Sequence, residues 1–175
     1  MTAPPPEIDP DVLVERDQYQ RFCHLDCDIV RDSQDIIVRR WTTVGAVVMH
    51  AALGAWVHDR LTDPGPVILV EDDIWIMLTD PISTDLRARW QPALTAAKAS
   101  TVSADGVVVL PGPCTPGRRW LIPPLSADRP FPEWVLAEIS RYAKHVERDE
   151  EAATATRCEV GEGPSDAALV RTNRG

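Results

Sequence analysis

The sequence predicts an α/β (α+β) protein: a small mixed or antiparallel sheet with helices packed on it. Three observations carry this. Short β-branched, apolar runs at 41–48, 67–70, 74–78 and 107–110 read as strands. The segments 49–61, 84–97 and 132–146 repeat apolar residues at three- and four-residue intervals, the spacing of one helix face. Clusters of turn-forming residues, "TDPGP", "SADG" and "PGPCTPG", separate the two kinds of segment.

Taken in order, residues 1–10 hold four prolines and read as extended or disordered. Apolar spacing at Val12, Tyr19, Phe22 and Leu25 predicts a helix within 12–30. Ile36 to Val38 reads as a short strand, and "WTTVGAVV" (41–48) as a buried one. Met49, Leu53, Trp56, Val57 and Leu61 then share one side of a helix, stopped by Pro64 and Gly65. Val67–Val70 and Ile74–Leu78 are joined by Glu71, Asp72 and Asp73, a length typical of a hairpin loop. Ser83 or Thr84 caps the next helix, with a kink or break expected at Pro92. Val107–Leu110 is expected to pair with Arg118–Ile122 as a second hairpin. A last helix starts near Pro132 and buries Val135, Ile139, Tyr142 and Val146.

The formal charge of −9 is unevenly placed. Residues 1–35 hold nine acids and three arginines, residues 147–175 seven and four, and residues 36–146 eleven acids and eleven bases. The expected organisation is an acidic, Pro-rich, partly helical segment at 1–35, a single α/β domain at 36–147, and an acidic, mobile tail at 148–175. A negative field repels nucleic acid at long range but leaves room for a local arginine patch. No apolar run reaches the ~20 residues of a membrane span, and the N-terminus lacks the basic and apolar regions of a signal peptide. The four cysteines are unevenly spaced and read as reduced thiols. The expectation is a cytoplasmic protein with no membrane contact.

Several constellations bear on chemistry. The acidic triplet Glu71–Asp73 reads as a solvated hairpin tip, because adjacent strand residues point to opposite faces and converge poorly on a metal. Cys23, His24 and Cys27 have ligand types suited to zinc, at helical i, i+4 spacing for the two thiols, but a second pair would have to come from Cys114 and His145. Asp26 and Asp28 would share one face of a strand, an arrangement that holds Mg²⁺ in nucleotidyl transferases. His50 and His58 lie about two helical turns apart, ~12 Å, too far to share an ion. There is no Walker A sequence, no GxGxxG and no GxSxG, so no cofactor is expected, and Cys114 has no base near it in sequence. Arg39–Arg40, Arg87, Arg89, Arg118 and Arg119, with Trp41, Trp90 and Trp120 beside them, would form a nucleotide or nucleic-acid site if they converged.

The succession "WTTVGAVVMHAALGAWVHDRL", "GPVILVEDDIWIMLTDP", "GVVVLPGP" and "RRWLIPP" resembles the short, diverged relatives of the bifunctional DNA primase/polymerase N-terminal (prim-pol) domain that occur in high-GC Gram-positive bacteria. The likeness covers roughly residues 36–140 and rests on hydrophobic spacing and a few anchors: Ala52-Leu53-Gly54, Leu61, Gly65-Pro66-Val67 and Trp120-Leu121-Ile122-Pro123-Pro124. It implies a primase-like fold with an RRM-like sheet at its heart. It also implies, for an active member, an Asp-x-Asp pair on the strand before the first helix and a His on a later strand. Here the matching strand 41–48 holds no carboxylate and 74–78 holds no His. No catalytic residue carries over, and the likeness implies a copy inactive as a polymerase.

The expected function is a non-catalytic binding or regulatory protein, engaging a protein partner, or a nucleotide or nucleic acid at a remnant cleft. The best site residues for the latter are Arg87, Arg89, Arg118, Arg119 and Trp120. Two alternatives stay open: a nucleotide-acting enzyme using Asp26, Asp28 or the 71–73 turn, and a structural or assembly protein of a mobile element with an exposed Trp as anchor.

Overall fold

The computed structural model describes residues 7–39, 43–103 and 105–160. The elements are α1 (Pro10–Phe22), β1 (Cys27–Val30), β2 (Asp35–Val38), β3 (Gly45–His50), α2 (Ala51–His58), β4 (Val67–Val70), β5 (Ile74–Thr79), α3 (Thr84–Ala96), β6 (Ser100–Thr101), β7 (Val108–Val109), β8 (Arg118–Ile122) and α4 (Pro132–Val160). The chain divides into two compact units, Met1–Ala143 and Lys144–Gly175.

The first unit contains two antiparallel sheets. The larger runs β6-β3-β5-β4-β8 and the smaller β1-β2-β7. Within the larger, β3-α2-β4-β5-α3-β6 forms a split βαβ unit: β5 lies between β3 and β4, antiparallel to both, and β6 pairs with the free edge of β3. β8 extends it beyond β4, with a bulge opposite Val67 and Ile68.

Both faces of the larger sheet are covered, so its inner strands β3, β5 and β4 are apolar almost throughout. On one face Val47, Met49, Val67 and Met77 share a core with Leu53 and Val57 of α2, Leu94 of α3, and Val135, Leu136 and Ile139 of α4. Leu53 and Val57 are fully buried, each contributing about 1.5–3 kcal/mol. Gly54 permits the close approach, since a Cβ there would lie 2.5 Å from the Trp75 ring. On the other face Ala46, Ile68, Ile76 and Leu78 join Val12 and Tyr19 of α1 and Ile36, Val38 and Val108 of the small sheet. Three layers result: helices, five-stranded sheet, and a cover made of α1 and the small sheet.

Several expectations shift in detail. The helix expected within 12–30 stops at Phe22, because Cys27–Val30 pairs residue for residue with Asp35–Val38. The boundary expected at residue 36 therefore falls inside a hairpin, and residues 10–30 supply core side chains rather than a flank. Met49 and His50 are strand, paired with Trp75 and Ile74, so α2 starts two residues later than its spacing suggests. Ser83 caps α3, its Oγ accepting from the Leu86 amide at 3.1 Å. The helix runs through Pro92 without a break; Pro92 and Ala88 lie on the exposed side, where a carbonyl left without its amide partner is open to solvent.

One pairing is corrected outright. Val108–Val109 and Arg118–Ile122 are not a hairpin. The first pairs with β2 in the small sheet and the second with β4 in the large one. The intervening "PGPCTPG" is a folded connection between the sheets, closed by Thr115 N to Gly112 O at 3.2 Å and Gly112 N to Thr115 Oγ1 at 2.6 Å.

The second unit begins at Lys144, and the helix continues through it to Val160. Arg148 Nε donates to Lys144 O at 3.1 Å, and His145 Nε2 lies 3.4 Å from Asp149 Oδ2. The tail expected to be mobile from 148 is helical to Val160, and residues 161–175 lie outside the described ones.

Candidate functional site

The hairpin tip is a solvated turn. Glu71 and Asp72 both have positive φ, 49° and 62°, and Asp73 N donates to Val70 O at 3.2 Å, as a tight hairpin turn requires. All three carboxylates are exposed. Asp72 Oδ1 accepts from Arg119 Nη2 at 3.0 Å, both side chains well exposed. Such a pair contributes little, typically about 0.2–1 kcal/mol.

The arginines singled out from the sequence do not meet. Arg87 and Arg89 lie on α3, which packs beside β6, and Arg118 and Arg119 on β8, at the opposite edge of the sheet. Four strand spacings separate those edges, about 19 Å. Arg87 Nη2 is held by Val102 O at 2.7 Å and Arg118 Nη1 by Val109 O at 3.3 Å. Arg89 is exposed, its guanidinium 5.9 Å from the Trp90 ring. Trp120 faces the interior: its Nε1 donates to Tyr19 Oη at 2.7 Å, and its ring meets Tyr19 edge-on. It is a packing residue rather than a stacking platform. Arg40 and Trp41 lie outside the described residues.

Cys23, His24 and Cys27 are not a ligand set. α1 ends before them, so the helical spacing that would bring the two thiols together is absent. Both thiols are buried while His24 is exposed. Cys23 Sγ bonds to Pro124 O at 3.5 Å and Cys27 Sγ to Leu25 O at 3.2 Å. Burial pushes both thiols up, Cys27 to about 12, with the nearby Asp26 charge adding to burial there. Asp26, just before β1, and Asp28, within it, are both exposed, on either side of buried Cys27. Among the described residues, no group of three His, Cys, Asp or Glu side chains is placed to hold a metal ion. His50 caps α2, its Nδ1 accepting from the Leu53 amide at 3.3 Å. Cys114 borders an open hollow of about 490 Å³ with Glu7, Asp9 and Gln34, and no His lines it.

A site that the spacing did not suggest lies where the end of α2 meets the first turns of α4. Trp134, Glu138 and Arg141 stand on one face of α4 at i, i+4 and i+7. With Arg60, Leu61 and Thr62, which follow α2, they line a hollow of about 300 Å³. Glu138 is only 6% exposed. Its Oε1 accepts from Arg141 Nη1, whose side chain is largely exposed. Its Oε2 is buried with no hydrogen-bond partner. Leaving such a group unpaired costs about 1–3 kcal/mol, more when it is charged. Arg60 stacks on Trp56, 3.4 Å from the ring centroid, and donates to Trp56 O at 3.2 Å. Trp134 is 57% exposed and meets Phe131, itself 53% exposed, edge-to-face at 5.0 Å. One signal was present in the sequence: Glu138 follows Val135 by three residues and precedes Tyr142 by four, so it borders the buried stripe of its helix.

No family model matches the chain, and neither do any curated protein or solved structure. No helix among the described residues is long and apolar enough to cross a membrane.

Proposed function

We infer that this chain is a non-catalytic binding protein on a diverged primase/polymerase-like fold, and that the hollow between α2 and α4 is where it engages its ligand. The single observation behind the reading is Glu138 Oε2, a buried carboxylate oxygen without a donor. Native interiors rarely keep such an atom, and because Glu138 lines the hollow, a ligand that shifts the Glu138–Arg141 pair can supply the missing donor. The primase-like part of the reading is supported by the split βαβ strand order. That the copy is inactive as a polymerase is supported by β3, which carries no carboxylate, and β5, which carries no His.

Two classes of occupant fit: a nucleotide, or a protein partner that seats a side chain on Phe131 and Trp134. The exposed edge-to-face pair favours the second. An extended nucleic acid on the open face of the RRM-like sheet is disfavoured, because α1 and the small sheet cover that face. The test is Glu138→Leu, read by thermal and denaturant unfolding. A residue kept for binding at the expense of stability gives a variant more stable by about 1–3 kcal/mol, a rise in Tm of roughly 2–12 °C. A less stable variant assigns Glu138 to the scaffold and ends this reading.

A further inference from the structure

The surface beside the hollow narrows the partner, and the narrowing rests on the reading that the chain binds there. Leu125, Phe131 and Trp134 lie on one short segment and are 88%, 53% and 57% exposed. Single exposed apolar residues are ordinary, but a cluster of them marks a contact surface. The segment that carries this one is held in place. Asp80 N donates to Pro130 O, Trp134 N to Phe131 O and Arg129 Nη1 to Ala127 O, each at 3.1 Å. The charge beside the cluster is positive. With Trp134, the hollow is lined by two cations, Arg60 and Arg141, and one acid, Glu138. Arg60 is stacked on Trp56 and Arg141 is bonded to Glu138, so both guanidiniums are positioned with N–H groups to spare. The neighbouring acids are engaged or turned away. Asp59 Oδ1 lies 3.3 Å from His58 Nδ1, and Asp63 Oδ1 accepts from the Gly65 amide at 3.2 Å. Glu133 stands about 100° round the helix from Trp134.

An apolar cluster with a cationic rim is complementary to a chain that carries carboxylates around a bulky side chain. We propose that this surface binds a short acidic segment of another protein, with one large apolar side chain seated on Phe131 and Trp134 and its carboxylates on Arg60 and Arg141. The main-chain N–H groups of such a segment can take up Glu138 where a carboxylate draws Arg141 outward, since the Arg141 side chain is 70% exposed. The anchor and the Arg60 contact do not need that shift. The hollow, about 300 Å³, admits side chains of a linear segment and not a folded domain. A second copy of the chain is the poorer occupant, because a two-fold contact centred on Trp134 sets the same arginine rim against itself. At about 0.15 M salt, charges beyond about 8 Å are screened, so the local rim rather than the whole −9 sets the preference for acids.

Selection of random dodecapeptides displayed on phage against the full chain, at about 0.15 M salt, tests this, followed by titration of the enriched peptides in synthetic form. The enriched peptides carry a net negative charge and an aromatic or large aliphatic residue. Trp134→Ala weakens their binding by at least about tenfold, as loss of an anchor requires, and Arg60→Glu does so by a similar factor. Both residues are exposed, so both variants unfold close to wild type. Replacing the acids of a peptide by Asn and Gln removes the effect of Arg60→Glu. Enrichment of neutral or basic peptides, binding that survives Trp134→Ala, or no enrichment over a blank surface each overturns the proposal. So does a concentration-dependent dimer that Trp134→Ala dissolves, which assigns the surface to a second copy. No enrichment together with a stabilised Glu138→Leu overturns the acidic segment and leaves the binding role of Glu138 standing. Acidic, Trp134-dependent peptides together with a destabilised Glu138→Leu support the docking surface and assign Glu138 to the scaffold.

Discussion

Two buried polar groups on opposite sides of the large sheet have opposite fates. Tyr19, under the cover of α1 and the small sheet, is fully served. Its hydroxyl accepts from Trp120 Nε1 at 2.7 Å and has two acceptors for its one proton, Pro111 O and Glu15 Oε1, both at 2.8 Å. Glu138, on the helical side, has one oxygen held by Arg141 and the other bare. The first ties three segments of the chain together, α1, the connection at Pro111 and β8, and is structural. The second is a polar group that folding leaves incomplete, and incompleteness beside a hollow is what a ligand can use.

The widest way to test that contrast is Trp120→Ala. If Trp120 is packing rather than a platform for bases, the variant loses about 3 kcal/mol in denaturant unfolding, the lower end for a buried aromatic. A stable variant with lost ligand binding would reverse the assignment. Tyr19→Phe comes next. It strands the Trp120 Nε1 donor and costs about 1–3 kcal/mol, opposite in sign to Glu138→Leu. If both variants shift stability in the same direction, the distinction between the two sides fails.

The covered side also predicts an alkaline limb. Burial first, then the Asp26 charge, holds Cys27 at about 12 against an ordinary 9.0, and burial raises Tyr19 as well. The unfolded chain releases these protons at lower pH than the folded one. The stabilisation is whole below pH about 9 and is lost as pH rises towards the folded values. Denaturant unfolding at pH 8, 9 and 10 should show falling stability, with a shallower fall in Cys27→Ala; an equal fall would remove Cys27 as a cause. The smallest effect is expected at the hairpin tip. Asp72→Asn breaks only an exposed pair with Arg119 and should change stability by less than about 0.5 kcal/mol, measured against wild type at low salt. A larger loss would mean the tip is not merely solvated.

Legibility followed locality. The β4–β5 hairpin and its three-residue tip could be read directly, since alternation and turn chemistry act over neighbouring residues. The start of α4 at Pro132 and the burial of Val135 and Ile139 were equally plain. Cys27–Val30 was not, because its four residues carry no pattern that separates strand from helix until β2 is beside them. Arg87 and Arg118 looked alike as charged residues beside tryptophans, yet each donates to a backbone carbonyl, Val102 O after β6 for the first and Val109 O of the small sheet for the second. Glu138 stood in view at the border of an apolar stripe, but nothing in the spacing tells whether a bordering acid reaches water or is roofed over.

The sequence alone determined the mixed α/β character, the order of most elements and the acidity of both flanks, because these depend on composition and short-range periodicity. Tertiary structure decided that β7 and β8 join different sheets, that α1 and the small sheet cover the second face, and that Glu138 loses solvent on one oxygen. Those outcomes depend on contacts between residues tens of positions apart. Their energy comes from surfaces fitting together, and no local pattern encodes which surfaces will meet.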